Sequence, residues 1–91
     1  MEDRIFELLK PWAGVSTWHT THPMDRDRFN RSMHAIVEEF GANVDIDLFE
    51  SALRKHVENN PRVLGNPEHW DNVISKFTIL AESIFLYEDA R

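Results

Sequence analysis

From Trp70 to Tyr87 apolar side chains return at helical intervals for most of 20 residues, and this run constrains the fold more than any other feature. Trp70, Val73, Ile74, Phe77, Ala81, Ile84 and Phe85 fall on one face of a helix, with Leu80 and Tyr87 widening it on one side. Asn66-Pro67 reads as a cap followed by proline in the first turn, so the helix is expected from about Pro67 to Asp89. At 1.5 Å per residue it would extend roughly 33 Å, most of the width of a small domain. Ile79 and Leu86 break the pattern. At 100° per residue they lie about 160° to 180° from Trp70, among Asn72, Ser75, Lys76, Glu82 and Ser83. Either another segment of the chain covers this second stripe, or a second copy of the chain does.

The remaining sequence breaks into shorter helices. Ile5, Leu8, Leu9 and Trp12 are spaced i, i+3, i+4 and i+7, which predicts a helix from Glu2 to about Lys10, stopped by Pro11. From Pro11 to Pro23 the residues PWAGVSTWHTTHP carry no formal charge and no helical period, and predict a structured Trp/His/Thr loop. A second helix is expected to start near Thr21 to Met24 with a threonine cap, to bury Phe29, Met33, Ile36, Val37 and Phe40, and to end at Gly41. The third is expected to begin at Asp45 or Asp47, with Val44 and Phe49 forming a hydrophobic staple. It then presents Ile46, Phe49, Leu53 and Val57 on one face and stops at Asn59-Asn60-Pro61. The expected fold is therefore all-α: one domain over residues 1–91, a small bundle of about four helices, three short and one long at the C-terminal end.

Composition narrows the function classes. Hydrophobic residues make up 42% of the 91 and include three Trp and six Phe, enough to fill a core. With no cysteine there is neither a disulfide frame nor a thiolate metal site, so stability must come from packing or self-association. That usage fits a reducing, cytoplasmic location. Sixteen acidic against ten basic residues leave a formal charge of −6, which opposes attraction to phosphate backbones and anionic lipid. The start, Met1-Glu2-Asp3-Arg4, is acidic on balance and does not lead into the long apolar core of a signal peptide, and no apolar stretch approaches a membrane span.

Several residue groups could carry chemistry. His19 and His22 form His-x-x-His, which can give two zinc ligands, the others coming from His34, His56, His69 or a carboxylate. His19, His22 and His34, with Arg28 or Arg31, define the enzymatic alternative. Arg28 and His34 are separated by five residues and resemble the R-x4-6-H motif of HEPN-type ribonucleases, which are helical bundles. The resemblance covers two residues, about 120° apart on the helix and early in the chain where that family carries the motif late. Arg31 with His34 at i, i+3 and His34 with Glu38 at i, i+4 equally describe a solvated helix face. Glu38, Glu39, Asp45, Asp47 and Glu50 form an acidic stretch without a basic residue, suited to docking on a basic protein surface or to imitating a nucleic-acid backbone. Asp45, Asp47 and Glu50 also serve as caps and first-turn acids. Asp45-x-Asp47 lacks the glycine and further ligands of a calcium loop. Read as helix-turn-helix, residues 34–56 would present Asp45, Asp47 and Glu50 to phosphate, with only Arg54, Lys55 and His56 as a basic spot at the far end.

No phosphate loop, nucleophile elbow or His-Glu-x-x-His is present, so no catalytic set and no cofactor is assigned. The expected function is a small regulatory or protein–protein interaction module, self-pairing in one version. Its candidate surfaces are Ile79 with Leu86, the acidic turn at Glu38, Glu39, Asp45 and Asp47, and Trp12 with Trp18 where these are exposed.

Overall fold

The computed structural model describes residues 1–15, 18, 22–61 and 66–89, with backbone alone at 42, 88 and 89. Among these residues there are four α-helices and no strand: α1 (Glu2–Ala13), α2 (Pro23–Phe40), α3 (Ile46–Asn59) and α4 (Trp70–Asp89). Short 3-10 turns at Gly41–Asn43 and Pro67–His69 precede α3 and α4. The expected all-α bundle is the fold.

Helix α1 runs one turn beyond its expected end, through Pro11 to Ala13. The proline removes the N–H that would have bonded the Glu7 carbonyl. Glu7 and Pro11 both face solvent, so water can satisfy that carbonyl. On the opposite side the extra turn completes the buried row Ile5, Leu9, Trp12, Ala13. Burial of a full indole outweighs the helix-breaking penalty of about 3 kcal/mol only in combination with its neighbours' packing.

The start of α2 also differs from expectation. His22 is the cap, its Nδ1 accepting from the Met24 backbone N–H at 3.3 Å, with Pro23 at the first helical position. Thr21, the expected cap, lies outside the described residues. Phe29, Met33 and Ile36 are buried and Val37 and Phe40 pack against the core, as their spacing implies. Gly41 ends the helix at φ 66°, a left-handed conformation in which a side chain would be strained. For α3 the structure selects Asp45: its carboxylate accepts from the N–H groups of Asp47 (2.9 Å) and Leu48 (3.4 Å). Asn66 caps the turn before α4 by accepting from Glu68 N–H at 3.0 Å.

One hydrophobic cluster draws on all four helices. At its centre, Trp12 meets Trp18, Phe29 and Phe77 with ring centroids 4.9, 4.8 and 5.1 Å apart. These contacts join α1, the following loop, α2 and α4. Trp18 has φ 61°, unusual for a bulky residue. Its buried indole offsets this, packing edge-on to Phe77 and donating Nε1–H to the Ala13 carbonyl at 3.1 Å. Phe49 and Phe85 pack edge to face across α3 and α4. Ion pairs tie the outsides of the helix pairs: Arg4 with Glu39 between α1 and α2, Lys55 with Glu2 between α3 and α1, and Arg54 with Asp71 between α3 and α4.

Candidate functional site

Ile79 and Leu86 are 64% and 61% exposed on α4, and no described segment of the chain covers them. Coverage of the stripe from within the chain, one of the two sequence readings, is thereby ruled out among the described residues. The apolar face is also wider than two residues. Tyr87 and Leu80, expected to widen the core side, are 63% and 37% exposed. At 100° per residue Leu86, Ile79, Tyr87 and Leu80 fall on about 120° of arc, with Ser83 between them and Lys76 at its N-terminal end. Ser83 is small, and its hydroxyl already donates to the Ile79 carbonyl at 3.1 Å. Covering it would leave no orphaned polar group.

Of the other expected surfaces, the tryptophans lie in the core, and several of the acids have partners within the chain. Trp12 and Trp18 are buried, 1% and 4% exposed, and are core residues instead of docking residues. In the acidic stretch, Glu39 accepts both oxygens' contacts from Arg4 Nε, at 2.9 and 2.7 Å, and this hydrogen bond holds its carboxyl below the ordinary value. Asp45 caps α3. Glu38 lies 3.2 Å from His34 and Glu50 4.0 Å from Arg54. Asp47 remains exposed in the first turn of α3.

The histidines and arginines of the catalytic and metal alternatives are dispersed. His19 lies outside the described residues, His22 caps α2, and His34 stands 12 residues along the same helix, about 18 Å away. Arg28 pairs with Asp25 at 3.8 Å and Arg31 with Asp27 at 3.0 Å, both along α2. No group of three His, Asp or Glu side chains gathers as metal ligands among the described residues. His56, expected in a basic spot with Arg54 and Lys55, is buried instead. Its ring stacks on Phe6, and since a carbonyl can only accept, its Nε2–H donates to Phe6 O at 2.8 Å. Burial pushes its imidazole below the ordinary value against the opposing pull of that carbonyl, so it contributes no charge at neutral pH.

Sequence reasoning missed a cleft of about 470 Å³ between α2 and α4. Trp12, Phe29 and Phe77 form its apolar lining with Leu80 and Ile84, while Arg26 and Asn30 supply polar groups from α2. Arg26 and Asn30 are one turn apart, a spacing visible in the sequence, but the opposing wall requires the α2–α4 packing. No helix among the described residues is long and apolar enough to cross a membrane.

No protein-family model, curated protein or solved structure matches this chain. The two-residue likeness to HEPN-type ribonucleases thus gains no wider match.

Proposed function

We propose that this chain is a small protein-interaction module that pairs with a second copy of itself through the outward face of α4. The observation that carries the reading is the exposure of Ile79, Leu80, Leu86 and Tyr87 on one helix face. Contiguous exposed apolar surface on a small domain is characteristic of contact sites. A 91-residue chain without cysteine also gains most from added buried area.

A two-fold contact matches the details of this face. With the axis at Ser83, antiparallel α4 helices place Ile79 opposite Tyr87 and Leu80 opposite Leu86, so each apolar residue meets another. The small Ser83 at the crossing lets the backbones approach closely. Lys76 of each chain then lies beside the last turn of the partner helix, which carries no basic residue to offset the negative end of its dipole. A parallel pairing would set Lys76 against Lys76.

Because the chain has no cysteine, single substitutions can map the contact. Oxidation is expected to link Ser83→Cys chains into dimers in high yield and to leave Lys76→Cys chains unlinked. Equal linking of both would indicate a parallel arrangement, and linking of neither would refute the α4 contact.

A further inference from the structure

The cleft between α2 and α4 shares Leu80 with the pairing surface but has the makings of a ligand site that this surface does not explain. Its volume of about 470 Å³ falls in the range of small-molecule sites, roughly 300–1,000 Å³. Its floor is aromatic, from Trp12, Phe29 and Phe77, which favours an apolar body. Its polar groups come from α2, where Arg26 and Asn30 stand at i and i+4 on one face.

Arg26 distinguishes this cleft from an ordinary surface groove. Among the described residues, Arg4, Arg28, Arg31 and Arg54 each have a carboxylate partner and Arg26 has none. It is flanked in sequence by two acids, yet Asp25 is engaged with Arg28 and Asp27 with Arg31. Arg26 also stands in the first turns of α2, where the helix dipole adds positive potential. The first half of α2 is thus locally cationic at the cleft although the whole chain carries −6.

We propose that the cleft binds a hydrophobic monocarboxylate, its chain on Trp12, Phe29 and Phe77 and its carboxylate on the Arg26 guanidinium with Asn30 as a second donor. A planar guanidinium matches a carboxylate with two parallel hydrogen bonds. One unpaired cation suits a single negative charge better than a dianionic phosphate, and an aromatic floor has no use for a short, fully hydrated acid.

Titration with sodium octanoate, followed by NMR, tests this directly. The Trp12 indole N–H resonance is expected to shift saturably with octanoate. Octanol, with the same chain and no charge, is expected to bind roughly tenfold or more weakly, the effect of losing a charge-assisted hydrogen bond. Arg26→Gln should show a similar loss for octanoate; Arg26 is exposed, so its thermal unfolding should match the parent chain. No saturable shift at millimolar octanoate would overturn the proposal. So would equal affinities for octanoate and octanol, or an unchanged affinity in Arg26→Gln.

Discussion

His56 of α3 lies flat on Phe6 of α1, ring centroids 3.8 Å apart and planes within 4°, while its Nε2–H donates to the carbonyl of that same phenylalanine. One residue thus fastens the two helices through both a ring face and a backbone acceptor. Protonation would place a charge in this buried stack with Lys10 nearby, and only Glu7 as a partly compensating acid.

The sign of the pH dependence follows. The unfolded chain takes up a proton at His56 near pH 6.5, whereas the folded chain does so only at lower pH. Below about 6.5 the unfolded state therefore binds more protons, and stability falls as pH drops from there toward the folded value. Thermal unfolding between pH 7.5 and 5.5 is expected to show this loss. His56→Phe, which keeps a flat ring without a titrating proton, should remove that part of the slope; an unchanged slope would mean that other groups set it.

Two acids at the start of α3 are chemically alike and structurally different. Asp45 accepts from two backbone N–H groups, so Asp45→Ala should cost about 1 kcal/mol, the usual value of an N-cap. Asp47 makes no such bond, and Asp47→Ala should stay within about 0.5 kcal/mol. Urea unfolding of the two variants checks the contrast, and a reversed order would mean that Asp47 caps the helix.

The Ser32 hydroxyl is buried on α2 and has no hydrogen-bond partner among the described residues. Ser32→Ala removes the unmatched oxygen and substitutes a better helix former, so stability should rise, by about 1 kcal/mol. Loss of stability in the same measurement would show that the hydroxyl is bonded in solution.

Much of this architecture was legible from spacing alone, because a helix that buries one face must repeat its apolar residues at that interval. Phe29, Met33 and Ile36 on α2, and Phe49, Leu53 and Val57 on α3, entered the core accordingly. The misreadings have separate causes. Pro11 does not stop α1, because the Glu7 carbonyl it leaves unbonded is on the solvent side while the added turn buries Trp12 and Ala13. His56 follows Arg54 and Lys55 in sequence, but one more residue of helical rotation carries it from surface to core. Trp18 is buried through contacts with Phe77, 59 residues away, which no local pattern encodes. On the candidate surface, Ile79 and Leu86 were evident as a stripe opposed to the core, whereas the width added by Leu80 and Tyr87 depends on how far the neighbouring helices wrap. The α2–α4 cleft depends on the same packing.

Sedimentation equilibrium of the unmodified chain beside Ile79→Lys/Leu86→Lys, from low to high micromolar concentration, tests the central reading most directly. The parent chain is expected to approach the mass of a dimer as concentration rises. The double variant should remain a monomer with the same helical circular dichroism, since both residues are exposed in the single chain. A parent chain that stays monomeric at high micromolar concentration, or a double variant that dimerises equally well, would contradict it.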